Sequence, residues 1–331
     1  MRSASKVIAV TAVAAAMALA ACSTGNTGSP ASSGAASGGS AGGQKYIAIV
    51  SKGFQHQFWQ AVKKGAEDEA AKVGARVTFE GPASETEVES QITMLTNAIA
   101  KKPDAIAFAA LDSKAAASQL AQIQSQKIPL IAFDSGVDSD IPVTTASTDN
   151  KAAAAEGAKH MCALIGNAGK VAMVVHDQTS RSGIDRRDGF IAGIKANCPN
   201  VTLLDPQYGG GDQAKSADIT KSIILANPDL KGIFGSNEGS AIGIVKGVQE
   251  LSKTGLAIVG FDSGKDQKDA ITSGLMAGAI TQNPVGMGAA TVDAAMKAIA
   301  GTSQPKTIDT GFYWYDKTNI TDPKIAAVLY D

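Results

Sequence analysis

Four short stretches place hydrogen-bonding and aromatic side chains where the chain leaves an apolar run. SKGFQHQFWQ (51–60) sets His56, Phe58 and Trp59 just after YIAIV, in a chain with only 5% aromatic residues. PLIAFDSGVD (129–138) and LAIVGFDSGKD (256–266) both finish an apolar run in Phe-Asp-Ser-Gly, which supplies Asp134 and Asp262. GIFGSNEGSA supplies Asn237 in the same way. Carboxylates and amides accept and donate hydrogen bonds in pairs, and aromatic rings offer flat apolar faces. Two carboxylates facing one cleft also meet the requirement of a glycoside hydrolase, with Asp134 and Asp262 as the pair. Both acids lie beside Ser-Gly in polar turns, where nothing in the sequence keeps one protonated, and both can equally be helix N-caps. Trp59 is followed by Ala61-Val62 and, at helical spacing, by Gly65-Ala66, so the ring pair can also be core.

Other chemistries are absent from the pattern. No Gly-x-Gly-x-x-Gly follows an apolar run, so a dinucleotide fingerprint is missing. GGGD (209–212) lacks the Lys-Ser/Thr of a phosphate loop and reads as a turn or a close approach to ligand. There is no Gly-x-Ser-x-Gly elbow. Three histidines without a Cys/His cluster predict no metal site, and no cofactor is expected. The formal charge is −1 with no Lys/Arg block, which argues against a nucleic-acid partner.

The elements that position these residues follow from the hydrophobic pattern. Strand-length apolar runs start at residues 46, 76, 105 and 130, and again at 171, 201, 232 and 257. Helical patterns lie between them. Alternating β and α of this kind predicts parallel sheets covered by helices. The two sets have nearly the same spacing, and their fourth members share Phe-Asp-Ser-Gly, so the chain reads as two similar doubly wound lobes. Ligands of such sheets bind beyond the carboxyl ends of the strands. That rule gathers the 51–60 segment, Asp134, Asn237 and Asp262 at one cleft.

The N-terminus reads as an export signal. Arg2 and Lys6 precede a short apolar stretch that ends in Leu-Ala-Ala-Cys. Residues 1–21 are expected to be a lipoprotein signal peptide and Cys22 the acylated residue. Residues 22–44 are then the lipidated Cys and a flexible Gly/Ser tether, too poor in apolar side chains to fold. The expected location is the outer face of the cell membrane, on the periplasmic side. In that oxidising compartment Cys162 and Cys198 can form a disulfide or stay as two buried thiols.

In combination the motifs resemble the type I periplasmic binding proteins of sugar ABC transporters, in the ribose-binding branch. The motifs are the polar-aromatic loop at 51–60, FDSG, STDN (147–150), DRRDGF (185–190), NPD…GIFGSNE (227–238), VGFDSG (259–264) and GAITQNP (278–284). The resemblance implies two doubly wound α/β lobes joined by a three-segment hinge that closes on a ligand. Residues 45–148 plus 283–311 would form the N-terminal lobe, and 149–282 plus 312–331 the C-terminal lobe. It implies ligand contacts from His56, Phe58, Trp59, Asp134, Thr148, Arg186, Asn237, Asp262 and Gln282, with Gln55, Asp112, Ser135 and Asp177 as weaker candidates. A sugar suits such a set, because its hydroxyls both donate and accept and its C–H faces stack on rings.

The implied function is capture of a monosaccharide or sugar-derived polyol and delivery to an ABC permease, by a monomer anchored through Cys22. A chemosensing or furanosyl-signal receptor is the alternative within the same fold. Gene regulators of this fold carry an N-terminal helix-turn-helix, where this chain has the signal and tether. Departures from the ribose pattern put ribose itself in doubt: His56 stands for an Asn, Ser135 for an Arg, Ala109 for an Asn and Gly211 for an aromatic residue. Loss of that aromatic wall predicts a cavity wider on the second-lobe side. Phe54 has no assigned place.

Overall fold

Apolar runs with no polar alternation belong to strands covered on both faces, and they form the two sheets of this protein. The computed structural model describes residues 43–331. The signal peptide, Cys22 and the tether as far as residue 42 lie outside the described residues.

The first layered unit begins β1 (Tyr46–Val50), α1 (Gln57–Val73), β2 (Arg76–Glu80), α2 (Val88–Ala100), β3 (Ala105–Phe108), α3 (Ala117–Ser125), β4 (Leu130–Phe133) and β5 (Thr144–Ser147). The second runs α4 (Asn150–Leu164), β6 (Gly169–Val175), α5 (Arg181–Asn197), β7 (Val201–Leu203), β8 (Gln207–Tyr208), α6 (Gln213–Ala226), β9 (Leu230–Gly235), α7 (Glu238–Glu250), β10 (Ala257–Phe261), α8 (Lys265–Ser273) and β11 (Gly278–Gln282). The chain continues through α9 (Pro284–Ile299), β12 (Thr307–Asp309), β13 (Phe312–Asp316) and α10 (Pro323–Ala326). The eight apolar runs are β1–β4, β6, β7, β9 and β10. β5, β8 and β11–β13 have no comparable run and show themselves only through pairing.

One sheet has the order β12-β5-β4-β3-β1-β2 and the other β13-β11-β10-β9-β6-β7, with β8 beside β6. All pairs are parallel except β11 with β13, which is antiparallel. The chain passes between the sheets after Ser147, after Gln282 and between Asp309 and Phe312. Thr148 Oγ1 ties two of these crossings by donating to the Gly311 carbonyl at 3.3 Å.

α1 illustrates how the helices are set. Phe58, Trp59, Val62, Gly65, Ala66 and Ala70 recur on one face and are all buried, and Gly74, in the left-handed region, ends the helix. That face packs with Ile49, Ile131 and Phe133 in the first-sheet core. The corresponding core of the second sheet joins Phe234, Val259, Phe261 and Ile280 with α4 and α5. Cys162 and Cys198 sit in it as a disulfide, with Cα atoms 5.7 Å apart. The tail divides between the two: Ile325 packs in the second-sheet core, but Tyr330 packs with Phe58 in the first.

Candidate functional site

Every residue of the central cavity comes from the carboxyl end of a strand or the helix that follows it, where strand-end loops converge. The cavity is lined by Lys52, His56, Phe58, Trp59, Glu85, Asp134, His176, Ser182, Arg186, Asn237, Asp262 and Gln282. Bonds cross the cleft around it. Lys52 Nζ donates to Ser182 Oγ at 3.2 Å, and Gln55 Nε2 to the Gly211 carbonyl at 3.4 Å. The two sheets' strand ends are therefore shut on each other.

Asp134 and Asp262 hold equivalent places. Both have φ in the left-handed region, 53° and 81°. Such a conformation is uncommon outside glycine, tolerated by Asp, and concentrated at functional sites. Each backbone N–H bonds the next strand: Asp134 to the Ala146 carbonyl at 2.9 Å, Asp262 to that of Ile280 at 2.6 Å.

Their carboxylates differ. Asp262 accepts from Gln282 Nε2 at 2.7 Å and from the Glu238 N–H at 2.9 Å, and Arg186 Nη1 lies 3.9 Å away. Among the described residues no protein donor bonds the Asp134 carboxylate. Burial pushes its pKa up to about 6, against the pull of Lys52 and Arg186.

Arg186 is fixed on three sides. Its Nε donates to Asn150 Oδ1 at 2.7 Å, its Nη1 to the Ser236 carbonyl at 2.9 Å, and its guanidinium lies 3.8 Å over the Phe261 ring. Asn237 caps α7 by accepting from Ser240 N through Oδ1, which turns its amide nitrogen toward His56 Nε2 at 3.4 Å. His176 Nδ1 pairs with Ser236 Oγ at 2.7 Å, and Nε2 faces Asp177 at 3.4 Å. Burial lowers the His176 pKa, so the ring is neutral. Burial alone would raise Glu85, but the pull of Lys52 and the 2.7 Å bond from Trp59 Nε1 help to outweigh it and hold it ionised.

Phe58 and Trp59 are both wall and core. Their rings meet edge to face at 4.9 Å, and Trp59 also touches Phe133. Two buried polar atoms of the wall, His56 Nδ1 and Gln282 Oε1, have no hydrogen-bond partner. Each such atom costs about 1–3 kcal/mol unless something enters to match it. The cavity thus presents acceptors, donors and a ring wall from side chains that are themselves buried. It is suited to a compact ligand rich in hydroxyls.

Of the candidates read from sequence, His56, Phe58, Trp59, Asp134, Arg186, Asn237, Asp262 and Gln282 meet at this cavity. Thr148 does not: its hydroxyl is committed to the crossing at Gly311. Gln55 is exposed and braces the rim, accepting from Glu85 N. Asp112 accepts from Lys114 N and Ala115 N and shapes its own turn. Ser135 is buried behind the wall, where its Oγ accepts from Ser182 N at 3.2 Å. Asp177 accepts from Thr179 N and Ser180 N and faces Lys52 Nζ at 3.8 Å, one step outside the lining.

The widening expected from Gly211 is not present. A Cβ there would lie 3.0 Å from Asn237 Nδ2 and 3.2 Å from Glu85 Oε2, so side chains from both lobes already fill that space. Phe54 packs edge-on against Phe79 at 5.7 Å. Lys52, Glu85, His176 and Ser182 were missed by the sequence reading. Lys52 and His176 directly follow β1 and β6, and Glu85 lies in the loop after β2, so the strand-end rule pointed at all three. Charge made them resemble solvated loop residues.

Comparison with known proteins gives a consistent picture. Residues 47–303 match the periplasmic binding protein domain. The D-allose-binding periplasmic protein of Escherichia coli (strain K12) is 30% identical over 251 residues, covering 73% of this chain and 80% of that one. An ABC transporter solute-binding protein from Agrobacterium vitis, bound with alpha-D-tagatopyranose, superposes with a TM-score of 0.84 at 31% identity, over 87% of this chain and 100% of that one. A second from the same organism, with bound D-fucose, gives 0.83 at 34% identity, over 86% and 100%.

Proposed function

The chain belongs to the periplasmic binding protein family, and from that premise we propose that it is an extracytoplasmic solute-binding protein that captures a monosaccharide or sugar-derived polyol and delivers it to an ABC importer. One observation carries the ligand class: a buried cavity in which the Asp134 carboxylate has no donor among the described residues and His56 Nδ1 and Gln282 Oε1 are unmatched.

The roles follow from the geometry. Asp134 and Asp262 accept from hydroxyls, Arg186, Lys52 and Asn237 donate, and Phe58 and Trp59 lie against C–H faces. Lobe closure about the three crossings encloses the ligand. Each hydroxyl left without a partner then costs binding energy, which is the physical source of discrimination between epimers. The protein acts as a monomer, held at the membrane by a lipid on Cys22.

Titration calorimetry against pentoses, hexoses, 6-deoxyhexoses, ketohexoses and polyols tests the binding role, with the ligand recovered and analysed afterwards. Saturable binding with the sugar recovered intact is expected. Recovery of a cleaved product from a glycoside would overturn the transport reading in favour of hydrolysis, where Asp134 would be the acid. Radiolabelled palmitate incorporated by the wild type but not by Cys22→Ser tests the anchor.

A further inference from the structure

Among the described residues, six helices donate an N-terminal N–H to the side chain of their own capping residue: Asp149, Ser180, Asp212, Asn237, Asn283 and Asp322. α1 and α8, which meet at the cleft, do not. Their N-caps are His56 and Gly264, and neither supplies a side-chain cap. Their open N–H groups are met from the opposite side. Glu238, at the start of α7 in the second unit, accepts from Gln57 N through Oε1 at 3.0 Å and from Phe58 N through Oε2 at 3.1 Å. In return Gln57 Oε1 accepts from Lys265 N, the first residue of α8, at 2.7 Å.

A helix N-terminus leaves several N–H groups unpaired and carries partial positive charge, so a carboxylate is its best partner. Glu238 is 3% exposed and Phe58 4%, so the Glu238 half of the exchange is buried, while the Gln57–Lys265 bond lies at the exposed rim. Gly264 makes room for it. A Cβ there would lie 2.8 Å from Gln57 Oε1 and 2.9 Å from Glu238 Oε1. The Glu238 N–H also holds Asp262 Oδ2 at 2.9 Å. One residue therefore touches both an acid of the cavity and the helix that carries Phe58 and Trp59.

We propose that Glu238 and Gln57 form a reciprocal latch, each capping a helix of the opposite lobe, and that this exchange sets how long the cleft stays shut. Both caps exist only in the shut form. In the open form the same N–H groups must turn to water. Glu238 is a positioning residue, absent from the cavity lining. Its effect on ligand residence time rests on the binding function proposed above; its effect on closure does not.

Closure is read first without ligand. A Cβ on Gly210 would lie 2.9 Å from Thr86 Cγ2 across the cleft, within reach of a disulfide. In a Thr86→Cys/Gly210→Cys background, with oxidant low enough that oxidation is slower than opening and closing, the rate of cross-linking reports the fraction of time the lobes are shut. Glu238→Ala is expected to slow it about tenfold, with Glu238→Gln, which keeps one accepting oxygen, in between. An unchanged rate overturns the latch. Gly264→Ala, which leaves both caps in place but wedges between them, should slow cross-linking as well, and supplies the test where Glu238→Ala does not fold.

With D-allose as probe, or whichever sugar of the calorimetric panel binds the wild type, stopped-flow fluorescence separates the rate constants. Glu238→Ala should raise koff about tenfold and leave kon within about twofold. A lowered kon at unchanged koff overturns the proposal, since it would mean that Glu238 builds the open site. If no sugar binds, the function proposed above fails, and the cross-linking rates still decide the latch.

Discussion

Asp134 and Asp262 share a strand-end position and a left-handed backbone, yet among the described residues only the Asp262 carboxylate has hydrogen-bond donors. Gln282 Nε2 and the Glu238 N–H bond Asp262, while burial holds the pKa of Asp134 near 6. The two halves of an internal repeat have thus diverged in charge environment. Asp262 is the fixed acid of the wall and Asp134 the one left for a ligand.

That difference predicts a pH dependence with a definite sign. The folded pKa of Asp134 lies above the ordinary 3.8. The group therefore favours the closed fold fully below about pH 4, and that contribution is lost as pH rises through about 6. The shift of about two units corresponds to about 3 kcal/mol. Held shut by the Thr86–Gly210 cross-link, Asp134→Asn should be more stable than its parent at pH 7.5 by up to that amount, with the gap vanishing below pH 4. Chemical denaturation across the pH range measures it, and a gap that persists at pH 3.5 would exclude titration of Asp134 as its cause. The same variant should bind sugar at least about tenfold more weakly, as residues tuned for a ligand often cost stability.

Arg186 is held by a fork and a ring together, and lysine can reproduce neither. Arg186→Lys leaves Asn150 Oδ1 or the Ser236 carbonyl without its donor. Calorimetry should show a loss of about 2–3 kcal/mol in sugar affinity, or thirty- to a hundredfold. Retained affinity would mean that the arginine serves only as a charge.

Gly211 tests the cavity boundary. Its φ is 68°, and a Cβ would press on Asn237, Glu85 and His56 at once. Gly211→Ala is expected to weaken binding at least about tenfold while lowering stability by only about 1 kcal/mol. Undiminished affinity would place the ligand away from the His56–Asn237 wall.

The Cys162–Cys198 bridge ties the C-terminal part of α4 to the residue just after α5, while Asn150 opens α4 and Arg186 sits in the second turn of α5. The loop it closes spans a sequence separation of 36, for which chain entropy predicts about 3–4 kcal/mol. Cys162→Ser/Cys198→Ser should lose about that much in denaturant unfolding, yet keep sugar affinity within about threefold. A large affinity loss would show that the bridge reaches the cleft.

The sequence by itself determined the eight apolar strands, their two-fold repeat and the rule that functional groups stand at strand ends. Those are local properties: a run of β-branched and small apolar residues, a turn, an amphipathic helix. They sufficed to bring His56, Phe58, Trp59, Asp134, Asn237 and Asp262 to one cavity, while Arg186 and Gln282 were named only by the family resemblance. What a polar residue does there is decided by partners distant in the chain, and only the tertiary structure supplies them. Asp112 and Asp134 look alike in sequence, but one is satisfied by its own turn and the other by no donor among the described residues. Lys52 reads as a solvated lysine until Ser182, 130 residues on, closes over it. Gly211 reads as space until two lobes fill it. Glu238 reads as an ordinary first-turn acid, and becomes the cap of a helix 180 residues earlier only because the two lobes shut.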